Sequence, residues 1–112
     1  MTNLIQGVYQ GSFMPLSEIR VSPLSRAYTF SDSIYEVIPY YNGKPLCLDE
    51  HINRFKLSAD FLKIELDFSI VKKEIEQLGR SVEYLENAYV YYQISRGVDA
   101  VRSHIVKEQL IP

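Results

Sequence analysis

The sequence predicts an α+β domain, a largely antiparallel sheet with two helices on one face. Three observations lead there. Residues 34–41, IYEVIPYY, are rich in β-branched and aromatic side chains and run into Asn42-Gly43, the dipeptide that favours a two-residue hairpin turn. Residues 52–62 carry apolar side chains at helical steps of three and four. Residues 88–95, AYVYYQIS, return to the alternation of a strand.

In chain order, the first thirty residues mix short apolar runs with Gly7, Gly11, Pro15 and Pro23, which reads as brief strands and turns. The hairpin follows, its second strand expected in KPLCL after the type I′ turn. Pro39 and Pro45 lack a donor, so each belongs at an edge or a bulge. Asp49 is the expected cap of the first helix, whose stripe is Ile52, Phe55, Ala59 and Leu62. The second helix is expected to begin near a cap at Ser69, to bury Val71, Ile75 and Leu78 with a Lys72/Glu76 pair outside, and to stop at Gly79. A further helical turn is possible over 82–85. The last strand places Val90, Tyr92 and Ile94 on one face and Tyr89, Tyr91 and Gln93 on the other, with both faces expected to be covered.

Composition bounds the function. The 112 residues, 46% hydrophobic and 23% charged, fit a single packed domain over 1–112 and exclude a disordered, collagen-like or disulfide-scaffold chain. Twelve basic against fourteen acidic side chains give a net charge of -2, so neither nucleic acid nor an anionic membrane surface is an expected partner. The single Cys47 makes no internal bridge, the first residues lack the pattern of a signal peptide, and no run approaches the roughly 20 apolar residues of a membrane span. A soluble, cytoplasmic protein is expected. After His104 the chain turns polar and ends at a proline, so 105–112 reads as the start of a connector to a further domain.

Few residues are candidates for chemistry. Neither CxxC nor HExxH occurs, and no metal site is expected. His51 lies one turn before Phe55 and reads as a half-buried packing histidine, and Cys47 reads as a small buried hydrophobe. Arg54 stands at the edge of the apolar stripe, where its guanidinium either reaches back over the sheet to an anion or is simply solvated. The segment QISRGVDAVRSH is more informative. If extended, it puts Arg102 and His104 on the same side, a pair of donors suited to an α-carboxylate, with a merely basic loop as the alternative.

SRAYTFSDSIYEVIPYYNGKPLCLDEHINRFKLSA, followed some thirty residues later by YVYYQISRGVDAVRSH, resembles the small N-terminal domain of class IV (fold type IV) pyridoxal-phosphate aminotransferases, closest to the D-amino acid (D-alanine) branch. The resemblance runs from about Arg20 to His104. It implies that Arg54 in EHINR contacts the phosphate of pyridoxal 5'-phosphate and that Tyr35 in IYEV lines the active site near substrate. It also implies that Arg102 and His104 in RSH bind the substrate carboxylate from across a subunit boundary. Branched-chain aminotransferases and aminodeoxychorismate lyases share the fold but usually lack the R-x-H loop. The implied partners are a large C-terminal domain, a second copy in a homodimer, and D-amino acid and 2-oxo acid substrates.

Two departures stand out. Where the family commonly has R-G-x-x-F-G-D-G, this chain has RAYTFSDS, with Ala27, Ser31 and Ser33 at positions usually glycine, so any of them at positive φ would carry a penalty of about 1 kcal/mol or more. The family's Schiff-base lysine is expected beyond Pro112, and none of Lys44, Lys56, Lys63, Lys72, Lys73 or Lys107 matches it. The chain alone is therefore expected to be non-catalytic, and no catalytic residue is assigned within it. The alternatives are a degenerate small domain serving as an interaction module, or the small domain of a branched-chain aminotransferase or an aminodeoxychorismate lyase.

Overall fold

A computed structural model describes residues 5–107 and 109–112; residues 1–4, the start of the segment read for strands and for a leader, and Glu108 of the expected connector lie outside the described residues. The chain opens with a hairpin of strands β1 (Gln6–Tyr9) and β2 (Ser12–Pro15), turned by Gln10 and Gly11 at φ 48° and 85°. A 3-10 turn (Leu16–Glu18) and a five-residue helix α1 (Arg26–Phe30) follow. Helix α1 is absent from the sequence expectation because five residues are too few to show a helical period.

The main sheet is built on strand β3 (Ser33–Tyr41). Asn42 and Gly43 take φ 51° and 78°, as a type I′ turn requires, and return the chain into β4 (Lys44–Pro45). On the other side β3 pairs along its whole length with β5 (Asn87–Ser95), antiparallel, from Ser33 opposite Ser95 to Tyr41 opposite Asn87. Pro39 lies in this central strand. Its carbonyl accepts from Leu46 N–H at 2.9 Å, so the side lacking a donor faces the two-residue β4 and leaves the β5 ladder intact. Helices α2 (Leu48–Leu62) and α3 (Phe68–Ser81) cover one face of the sheet, with Ile38, Phe55 and Ile75 fully buried between the layers. The predicted stripe holds: Ile52, Phe55 and Ala59 are buried and Leu62 is partly buried against them. Strand β1 adds Val8 to this core.

Several local expectations are corrected. The second hairpin strand is two residues, because Cys47 turns into the left-handed region at φ 53° and becomes the N-cap of α2. Cys47 is exposed there instead of buried. Asp49 lies inside the first turn and accepts from Lys72 Nζ of α3 at 3.1 Å, so Lys72 is bonded to Asp49 and not to Glu76. The cap of α3 is Asp67, whose Oδ1 accepts from the backbone N–H of Ser69 at 2.9 Å and from its hydroxyl at 2.6 Å. Helix α3 runs through Gly79 to Ser81, and Gly79 is buried against the Tyr40 ring. Residues 82–85 form a hydrogen-bonded turn, not a helix. The face of β3 and β5 turned away from the helices is open: Tyr35, Val37, Tyr89 and Tyr91 are exposed, where the alternation predicts cover.

Candidate functional site

Alternation along β3 places Glu36 between Ile34 and Ile38 on the helix-covered face, with its side chain 5% exposed. A carboxylate so buried needs donors, and α2 supplies two from residues one turn apart. Arg54 donates from Nε to Oε2 at 2.8 Å and from Nη2 to Oε1 at 2.7 Å, a two-pronged contact. His51 Nδ1 shares Oε1 at 2.7 Å, which fixes its ring in this cluster. The Arg54 hydrogen bond, aided by His51 and opposed by burial, holds the Glu36 carboxyl below its ordinary range. The Arg54 side chain is itself 67% exposed, so its remaining N–H groups face outward in a plane that Glu36 sets.

A second buried cluster links the start of the domain to its last loop. Asp32 Oδ2 accepts from Arg26 Nε at 2.9 Å and from Arg96 Nε at 2.6 Å. Arg26 donates from Nη1 to the Ser103 carbonyl at 2.7 Å, and Arg96 donates from Nη2 to the Leu62 carbonyl at the end of α2 at 2.6 Å. The Ser103 carbonyl thus anchors the middle of the Arg102–His104 segment. The two flanking side chains meet at Phe30: the Arg102 guanidinium carbon lies 4.4 Å from the ring centroid, and the His104 ring centroid 5.1 Å away, edge-on. Both are exposed, and among the described residues neither side chain has a hydrogen-bond partner. Tyr35, on the open face, stacks on Tyr91 at 5.3 Å between centroids.

The four residues singled out from sequence therefore fall into three places. Arg102 and His104 share one patch, Arg54 belongs to the Glu36 cluster, and Tyr35 lies on the sheet face opposite Glu36. Sequence reasoning assigns no role to Glu36, Asp32, Arg26 or Phe30, although Arg26, Phe30 and Asp32 match the fixed letters of the R-G-x-x-F-G-D-G pattern. A readable signal exists for Glu36: it is a charge in the buried phase of an alternating strand, with His51 and Arg54 one turn apart downstream. Among the described residues no three His, Cys, Asp or Glu side chains gather as metal ligands, and no helix is long and apolar enough to cross a membrane.

Residues 33–110 match the family described as amino-transferase class IV. The chain belongs to this family. As a class IV aminotransferase chain it is 39% identical over 97 residues to the D-alanine aminotransferase of Staphylococcus aureus, covering 84% of this chain and 33% of that protein. It is 36% identical over 107 residues to the D-alanine aminotransferase of Bacillus licheniformis, covering 94% of this chain and 37% of that protein. The chain thus spans about a third of the length of the curated relatives it matches. Its fold is shared with a fold IV-transaminase from Curtobacterium pusillum (TM-score 0.73, 18% identity, 80% of this chain and 32% of that one). It is also shared with a branched-chain amino acid aminotransferase complexed with N-(5'-phosphopyridoxyl)-L-glutamate (TM-score 0.70, 26% identity, 82% of this chain and 33% of that one).

The three glycine replacements separate once the backbone is known. Ser31 ends α1 in the left-handed region at φ 54°, whereas Ala27 and Ser33 are not among the residues at positive φ. Ser31→Gly is therefore expected to stabilise the class IV domain by about 0.5–1 kcal/mol, the relief of a left-handed Cβ less the extra freedom gained by the unfolded chain. Ala27→Gly, inside α1, has the opposite sign by a similar amount, about 0.5–1 kcal/mol. Urea midpoints of the two variants check this, and a lower midpoint for Ser31→Gly would contradict it.

Proposed function

We propose that the chain is the small N-terminal domain of a cytoplasmic, pyridoxal-phosphate-dependent D-amino acid aminotransferase-like enzyme, with 105–112 leading into its large domain. The observation that carries this reading is the meeting of Arg102 and His104 on Phe30, two adjacent sets of exposed donors on an anchored loop. Arg102 takes the α-carboxylate of a D-amino acid or 2-oxo acid through its guanidinium N–H groups, and His104 adds a donor beside it. The relatives named D-alanine aminotransferase favour this branch over a branched-chain aminotransferase or a lyase.

Arg54 suits the cofactor phosphate by the chemistry of its donors. Glu36 occupies Nε and one N–H of Nη2, and the exposed remainder of the guanidinium is left to a dianion. When bound, pyridoxal phosphate supplies the electron sink for moving an amino group between carbon atoms. Tyr35 presents its ring on the open face beside Tyr91, where it lines the substrate space once the large domain and the second subunit of a homodimer cover that face. None of this chain's lysines matches the family's cofactor-bearing position, so that lysine comes from the large domain and this chain does not catalyse alone.

In the full-length protein, Arg102→Leu removes a charge-assisted contact, and kcat/KM for D-alanine is expected to fall by roughly ten- to a hundred-fold with the cofactor retained. Arg54→Leu should do the reverse, weakening cofactor retention first and activity as a consequence. Loss of the cofactor from Arg102→Leu with kcat/KM normal on cofactor-saturated enzyme would refute the two assignments.

A further inference from the structure

We propose that Phe30 is the positioning residue of the carboxylate site, the stage that aims both Arg102 and His104. The inference rests on the carboxylate reading above and adds to it the part that gives the loop its direction. The loop after β5 is paired at its start, where the Arg26 N–H donates to the Gly97 carbonyl at 2.8 Å and Val98 bridges Ser25, but its two candidate binding side chains lie farther along and are exposed. Long exposed side chains ordinarily sample many rotamers and lose that freedom on binding, which weakens the ligand. Here two contacts restrict them. The Arg26 guanidinium holds the Ser103 carbonyl at 2.7 Å, fixing the backbone between the pair. The ring of Phe30, half-buried at the end of α1, carries Arg102 with its guanidinium carbon 4.4 Å from the centroid and His104 edge-on at 5.1 Å.

An aromatic ring is suited to this task. It attracts a guanidinium through its quadrupole without using any N–H donor, so every donor of Arg102 stays available for a carboxylate. An aliphatic side chain of similar size fills the space and lacks that attraction. The ring is itself set from below: the Arg26 guanidinium carbon lies 4.6 Å from the same centroid, and Arg26 is buried and bonded to Asp32. One ring therefore ties the fixed base of the domain to both donors.

The test uses Phe30→Leu, Phe30→Tyr and Arg102→Leu. In the 112-residue chain, Phe30→Leu should abolish the ring-current displacement of the His104 ring protons in NMR spectra, and Phe30→Tyr should keep it. In the full-length enzyme, Phe30→Leu should raise KM for D-alanine by about three- to tenfold, with kcat within about twofold and the cofactor retained, while Phe30→Tyr stays near the parent. If Phe30→Leu fails to unfold cooperatively, Phe30→Met, apolar and without a ring, replaces it under the same expectations. Unchanged KM in the ringless variant alongside a raised KM in Arg102→Leu would overturn the role of Phe30 and leave the carboxylate reading standing. Unchanged kcat/KM in Arg102→Leu would overturn the carboxylate reading itself. Unmoved His104 protons in the ringless variant would overturn the placement of the pair on the ring.

Discussion

Replacing Asp32 with Ala is expected to lower folding stability by about 3–5 kcal/mol, the cost of stripping the partner from buried charge. One carboxylate oxygen serves both Arg26 and Arg96, whose side chains are only 5% and 17% exposed, so its loss leaves two cations with little water to turn to. Each keeps a carbonyl, Ser103 for Arg26 and Leu62 for Arg96, but a neutral acceptor does not balance a full charge. A domain of this size is ordinarily stable by about 5–15 kcal/mol, so the variant stands near the edge of folding. Urea unfolding of the two proteins measures the difference, and a midpoint unchanged from the parent would show that the cluster contributes nothing. The same contact carries a pH signature. Burial pushes the Asp32 carboxyl up, but the hydrogen bonds and charges of Arg96 and Arg26 together outweigh it and leave its pKa below the ordinary 3.8. Its stabilisation is thus fully present above that value and is lost as pH falls through the lower, folded-state pKa. The advantage of the parent over Asp32→Asn should accordingly shrink below about pH 4.

Gly79→Ala is expected to destabilise by about 2 kcal/mol, against the direction that helix propensity gives. In an open helix the change would stabilise by about 1 kcal/mol. Here the added Cβ would fall within the ring of Tyr40, which is 4% exposed and whose hydroxyl donates to the Ile75 carbonyl at 3.5 Å. Neither a buried ring nor the helix backbone moves cheaply, so overpacking of about 3 kcal/mol wins. Thermal unfolding checks the sign. A raised Tm would mean that the sheet and α3 part more easily than the contact implies. Shrinking the ring's side of the contact with Tyr40→Leu in the same chain should recover part of the loss.

How far the sequence can be read depends on whether a signal is periodic. The stripe Ile52, Phe55, Ala59 and the alternation Val90, Tyr92, Ile94 repeat often enough to name both element and buried face. Gly79 misleads because a glycine that makes room for a ring is written with the same letter as one that ends a helix. The capping roles go to Cys47 and Asp67, each two positions before the residue expected, since which residue leaves the helical torsions is set by the backbone and not by its letter. Arg102 and His104 are legible as a pair because residues two apart stay close enough to meet on one ring. Phe30 and Arg26 match letters of the family pattern, but their contacts are not legible, since 72 and 77 residues separate them from Arg102 and Ser103 and nothing local records the pairing. The open face of Tyr35 and Tyr91 reads as covered because alternation marks both faces of a strand as apolar without saying which chain provides the cover.

Helix α2 also acts as a ruler. It carries Arg54 near its middle and hands the carbonyl of its last residue, Leu62, to Arg96, which shares Asp32 with the arginine that anchors Ser103. The eight residues from Arg54 to Leu62 set a span of about 12 Å along the helix axis at 1.5 Å each. An inserted or deleted residue in that stretch would shift the span by about 1.5 Å and swing Arg54 about 100° away from Glu36. The length of one helix thereby sets how far the Glu36–Arg54 pair stands from the Asp32 cluster that anchors the last loop.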